Sequence, residues 1–141
     1  MTAIVPAPRT EAIGAIVLKA AGALTASTAG TAVTLDRTQF DVDINWSAID
    51  ISSTDELYLV TIEANTQAAP TVWTVIAHAM CIGATAKVAS SGDATATGQM
   101  RLGVDNPYDY QVRIHTWISG TTPSINFTAN AYPIKNISYI G

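Results

Sequence analysis

Residues 40–46 read FDVDINW, in which Phe40, Val42, Ile44 and Trp46 alternate without a break with Asp41, Asp43 and Asn45. Successive side chains of a strand point to opposite faces, so the stretch predicts a half-buried β-strand with one apolar side and one wet side. The same period of two recurs outward along the chain. Residues 110–118 (YQVRIHTWI) put Tyr110, Val112, Ile114 and Ile118 on one side, and residues 124–132 (SINFTANAY) do so with Ile125, Phe127, Ala129 and Ala131. Residues 57–64 (LYLVTIEA) are nearly continuous in β-forming residues. Residues 72–82 (VWTVIAHAMCI) are apolar in both phases, the pattern of a central strand covered on both faces. Residues 98–104 (GQMRLGV) form a shorter candidate, and residues 15–19 and 31–35 are expected strands on either side of a small-residue turn at 27–30.

Turn chemistry separates these runs. Residues 67–70 (QAAP) and 105–107 (DNP) carry proline, and Asp105 and Asn106 are side chains that bond their own backbone. Residues 119–123 (SGTTP) are expected to close a hairpin between the last two long strands. No helical period is present, except that residues 49–56 are compatible with a short turn of helix. About eight short strands predict an all-β protein with a single β-sandwich. The jelly roll is the leading topology. An immunoglobulin-like sandwich is the alternative, because strand order is not visible in a sequence.

Residues 13–141 form the expected sandwich domain, and residues 1–12 (MTAIVPAPRTEA) an extended N-terminal arm. Pro6 and Pro8 bias that arm toward extended conformations, and it has few core formers. A neighbouring subunit is the economical way to hold such a segment. Residues 83–98 (GATAKVASSGDATATG) are a run of small residues, long for a loop in a small domain. They read as a surface loop or as a contact loop in an assembly.

The chain has 141 residues, enough for one domain with its own core. Charged residues make up 13% of it, against about 25% in ordinary globular domains. A free monomer uses charge to stay soluble, whereas a surface covered by neighbours does not need it. The low charge therefore points to an assembly subunit. The net charge is −4 and the seven Lys and Arg residues are scattered singly, so no basic stripe exists to meet nucleic-acid phosphates. Residues 12–24 resemble a signal-peptide core, but Glu11, Lys19 and the preceding prolines argue against that reading. No apolar run reaches the length of a membrane-spanning helix, and no membrane partner is expected. The single cysteine, Cys81, has no internal partner and reads as a small buried hydrophobe.

The search for reaction chemistry returns little. No catalytic residue, cofactor or metal ligand set is expected, and the chain is read as a structural or binding module rather than an enzyme. His78 lies among apolar residues and reads as a core or interface histidine. His115 shares a face with Arg113 and Trp117, which reads as an outer sheet face. Asp41 and Asp43 point to one side, as solvent-facing charges of a strand. Trp46, Trp73, Trp117, Tyr58, Tyr108, Tyr110 and Tyr132 are enough aromatics for a sugar-stacking platform. Trp46 reads as core, which leaves Trp117 as the best exposed candidate.

Three stretches carry a family resemblance: residues 24–35 (LTASTAGTAVTL), residues 55–64 (DELYLVTIEA), and residues 110–132 with Gly120-Thr121-Thr122-Pro123-Ser124 between two strands. With them the chain resembles the jelly-roll decoration, or cement, proteins of tailed-bacteriophage capsids. The resemblance implies a virion structural protein, made in the host cytoplasm and bound to the outer capsid surface. Its implied partners are the major capsid protein lattice, whose neighbouring subunits it clamps, and two further copies of itself in a homotrimer. The segments expected to make the contacts are the arm (Ile4, Val5, Pro6, Pro8, Arg9) and the small-residue loop (Lys87, Ser90, Asp93). The competing expectation is a glycan- or receptor-binding β-sandwich from a tail fibre or adhesin.

Overall fold

A computed structural model describes residues 10–12, 14–35, 38–83 and 98–136. Eleven strands run along them: β1 (Thr10–Ala12), β2 (Ile16–Lys19), β3 (Ala23–Leu24), β4 (Thr28–Ala29), β5 (Val33–Thr34), β6 (Gln39–Asp50), β7 (Leu57–Ala64), β8 (Thr74–Gly83), β9 (Gly98–Asp105), β10 (Gln111–Ser119) and β11 (Ser124–Asn136). Two antiparallel sheets pack face to face. In sheet I the order is β1-β11-β6-β9, with β2 and β3 also pairing β11; in sheet II it is β4-β10-β7-β8, with β5 also pairing β10.

The pairings nest. The short strands β1, β2 and β3 pair with β11, β4 and β5 with β10, β6 with β9, and β7 with β8, all antiparallel. The chain therefore behaves as one long hairpin, with its tip at the β7–β8 turn, rolled up so that β6 meets β11 and β7 meets β10. That is the jelly roll, and it decides between the two topologies left open by the sequence. Residues 10–12, placed in the expected arm, pair in register with residues 134–136.

Every inward residue expected of β6 and β11 faces the core. Phe40, Val42, Ile44, Ile125, Phe127, Ala129 and Ala131 are buried, and Trp46 packs against them half-buried. Tyr58, Val60, Ile62, Val112 and Ile114 meet them from sheet II. Burying a large aliphatic or aromatic side chain contributes about 1.5–3 kcal/mol. The core is thus the main stabilising term, and no disulfide is needed.

β-Bulges reset the side-chain phase where the sequence demands it. The β6–β11 register shifts between Asn126 and Phe127, leaving Ser47 as the extra residue of β6. Trp46 and Ile49 are separated by an odd number of positions, and the bulge lets both face inward. In β8 the register shifts twice, leaving Ile76 and Ala79 as extra residues. This corrects the reading of residues 72–82. Their apolar run marks a doubly bulged edge strand, not a central one, in which Ala77 and Met80 turn in while Val75, His78 and Cys81 turn out. Cys81 is accordingly exposed, not buried as expected, and His78 is exposed too, which removes the core half of its core-or-interface reading.

Three further expectations are corrected. Residues 49–56 hold no helix. β6 runs to Asp50, whose carboxylate accepts from the Ser52 N–H at 2.8 Å and hydroxyl at 2.6 Å, and Thr54 closes the turn at φ 66°. A side chain that bonds the backbone two residues on makes a turn in place of a helical one. Residues 27–30 are not only a turn, since Thr28 and Ala29 pair with β10. Residues 119–123 do not close a hairpin, because β10 and β11 lie in different sheets. They form a corner tied to the 50–56 turn: the Asp55 carboxylate accepts from the Thr121 N–H at 3.0 Å and hydroxyl at 2.5 Å, and buried Glu56 accepts from the Ser53 N–H at 3.1 Å. The Thr121 hydroxyl and N–H hold the Asp55 carboxyl below its ordinary value. Beneath this corner the buried Tyr58 hydroxyl donates to the Asp50 carbonyl and accepts from the Ser124 N–H at 2.9 Å, pinning both turns to the core.

Gly120 sits at φ +118°, and a Cβ there would lie 2.6 Å from the Glu56 Cα. Gly120→Ala should therefore destabilise the protein by at least about 2 kcal/mol in chemical denaturation. The Thr116 hydroxyl is buried and lacks a partner. Thr116→Val keeps the shape and removes the unmet polar group, so it should raise stability by about 1 kcal/mol in the same assay.

Candidate functional site

The register sorts the outward residues of each sheet into rows. On sheet I the rows are Tyr132–Asp41–Gly103, Asn130–Asp43–Arg101 and Thr128–Asn45–Gln99. This face is mostly polar, with Val17 of β2 exposed at its margin beside Asn130. Asp41 and Asp43 straddle Arg101, each at 3.3 Å from its Nε, and the guanidinium lies over the Tyr132 ring at 5.3 Å. The two aspartates face outward as expected and are joined through a cation from the next strand. Asp43, Asn45, Gln99, Met100 and Arg101 line a shallow depression there.

Sheet II has a different outer face. Its rows are Val75–Glu63–Arg113, His78–Thr61–His115–Ala29, Cys81–Leu59–Trp117 and Leu57–Ser119. Glu63 is the only carboxylate in these rows, and it is covered. Its side chain is 6% exposed, and it accepts from the Arg113 Nε at 2.7 Å and lies 3.2 Å from the His115 Nδ1. Burial of a lone carboxylate is costly, and these two partners offset that cost.

A stack of flat groups stands over Glu63. The Arg113 guanidinium lies 4.1 Å from the Trp73 ring centre. His115 stacks on Trp117 with ring centres 3.7 Å apart and planes 13° from parallel. The Trp117 indole N–H donates to the Thr61 hydroxyl at 3.1 Å, which ties the ring to the neighbouring strand. Trp117 nevertheless stays 41% exposed, and Val75 and Leu57 are exposed at 41% and 47%. The face is therefore nearly neutral, and its exposed points mix the apolar Trp117, Val75 and Leu57 with His78, Cys81 and Ser119. It is suited to close contact with another macromolecular surface.

The sequence brought Arg113, His115 and Trp117 together correctly, because a period of two places them on one face. It did not join Glu63, Thr61 or Trp73 to them, because these come from other segments. The signal for Glu63 was a charged residue inside an otherwise apolar strand pattern, in LYLVTIEA. The seven-aromatic platform does not form. Tyr58 is fully buried, Trp46 packs over Gly98 inside the sandwich, and Tyr132 lies on sheet I. The expected contact residues Ile4, Val5, Pro6, Pro8, Arg9, Lys87, Ser90 and Asp93 lie outside the described residues. Among the described residues no group of three or more His, Cys, Asp or Glu side chains is placed to hold a metal ion.

No family model and no curated protein matches the chain. Among solved structures, a chain in "Structure of infectious bursal disease virus Gt strain" aligns with 94% of this one at 10% identity and a TM-score of 0.33. The aligned region spans 42% of that chain.

Removing the Glu63 carboxylate would leave Arg113 and His115 without their shared acceptor. Glu63→Ala should cost about 2–3 kcal/mol in urea unfolding. It should also release the Trp117 ring, seen as a red shift of its fluorescence.

Proposed function

We propose that this chain is a virion structural protein that decorates the outside of a tailed-phage capsid and clamps neighbouring major capsid protein subunits, without enzymatic activity. The outer face of sheet II carries the proposal. Its one carboxylate is paired with Arg113 and contacted by His115, and its exposed large apolar side chains are Trp117, Leu57 and Val75. A surface of that kind gains free energy when a partner covers it. The jelly-roll order and the resemblance of residues 24–35, 55–64 and 110–132 to cement proteins support the same reading. In this proposal the arm residues Ile4, Val5, Pro6, Pro8 and Arg9 and the loop residues Lys87, Ser90 and Asp93 add contacts around the face.

The action is thermodynamic linkage. A ligand that binds the expanded lattice and not its precursor stabilises the expanded form in proportion to its occupancy. Many identical sites on one shell multiply a modest contact. The exposed, stacked Trp117 also favours a second reading, a glycan-binding module, since indole faces pack on sugar rings.

Co-sedimentation with expanded and unexpanded capsids of the source virus tests the proposal. Binding is expected to the expanded shell only, weakened about 30-fold or more by Trp117→Ala, the loss typical of a central interface tryptophan. Absence of binding to either shell would sink it. A glycan array positive with the parent protein and negative with Trp117→Ala would move the second reading ahead.

A further inference from the structure

A β-sandwich has open sheet edges, and each is a template for another strand unless something blunts it. Three of the four edges here are blunted. The β4 and β5 edge consists of two strands of two residues each. The opposite edge of sheet I is broken into β1, β2 and β3, of three, four and two residues, with a bulge between Ala129 and Asn130. The third edge, β8, is bulged twice. The fourth, β9, has none of these devices. It is eight residues long, pairs with β6 without a register shift, contains no proline, and has no strand on its other side among the described residues. Met100 and Leu102 pack against the core from this edge but are only partly buried.

We propose that β9 pairs antiparallel with β9 of a second copy of this chain, about a two-fold axis that joins the two copies of sheet I into one continuous sheet. The register follows from face and charge. Cross-strand partners share a face, so the outward residues of one copy must oppose the outward residues of the other. With Arg101 on the axis, two guanidinium groups would meet. With Leu102 on the axis, Arg101, already held by Asp41 and Asp43, would face Gly103, and Asp105 would face Gln99 and meet no cation. With Gly103 on the axis, Arg101 of each copy faces Asp105 of the other, and Leu102 faces Val104 on the inner side. Of the three arrangements, only this last one brings a cation to Asp105 without setting two guanidinium groups together. Gly103 also presents no side chain at the point of closest approach.

This inference concerns the free protein and does not depend on the capsid reading. It departs from the trimer that the family resemblance implies, because a three-fold axis cannot pair a strand with its own copy.

Sedimentation of the full chain, together with cysteine cross-linking in a Cys81→Ser background, tests it. A Cβ at Gly103 meets nothing nearer than the Asp41 Oδ1 at 3.7 Å, so Gly103→Cys is compatible with the fold. The parent is expected to sediment as a dimer. Gly103→Cys is expected to form a disulfide-linked dimer on mild oxidation, because an antiparallel pair brings axial Cα atoms within disulfide reach. Arg101→Cys should not link, since its copies stand apart in this register. Asp105→Lys should shift the parent dimer toward monomer. A parent that sediments as a monomer or trimer overturns the proposal, and so does Arg101→Cys linking as readily as Gly103→Cys.

Discussion

The ladder between β6 and β11 runs from Asp50 opposite Ser124 to Phe40 opposite Pro133, joining early and late parts of the chain in the middle of sheet I. Forming it closes most of the chain into a loop, and the free energy for that closure comes from the inward side chains of both strands. Phe40, Val42, Ile44 and Ile49 meet Ile125, Phe127, Ala129 and Ala131, all buried. β9 adds to the outside of β6, and β1 to β3 add to the outside of β11. Pro133 fits this arrangement. It lies where β2 has ended at Ala131 and β1 begins at Ile134, so its missing N–H falls at a gap in the flanking strands.

The two sheets present unlike surfaces from one scaffold. Sheet I turns out Asp, Asn, Thr and Gln around Arg101, with Val17 at its margin. Sheet II turns out Trp117, Leu57 and Val75, with His78 and Ser119 among them, around a carboxylate already paired with Arg113. An exposed polar face asks nothing of a partner, whereas an apolar one loses hydration cost when covered.

Much of this was legible in the sequence, and the failures have physical causes. The inward residues of β6, β10 and β11 followed from alternation, because period two is a local property. The misreading of residues 72–82 arose because bulges at Ile76 and Ala79 break that period. A strand with two extra residues can put apolar side chains inward in both phases while its partner keeps strict alternation. Local turn chemistry could not tell a hairpin from a corner at residues 119–123. Ser, Gly, Thr and Pro suit both, and the choice was made by Asp55, Glu56 and Tyr58 holding that corner against a distant turn.

The sequence by itself determined that the protein is all-β, which faces of its long strands are apolar, that its charge is low, and that Arg113, His115 and Trp117 share a surface. Only the tertiary structure decided strand order, the exposure of His78 and Cys81, and the union of Glu63, Arg113 and Trp73. The reason is that alternation is written within a strand, whereas pairing partners, bulges and edges are relations between strands far apart in the chain. The edge at β9 is the extreme case, since it is defined by having no neighbouring strand on one side among the described residues.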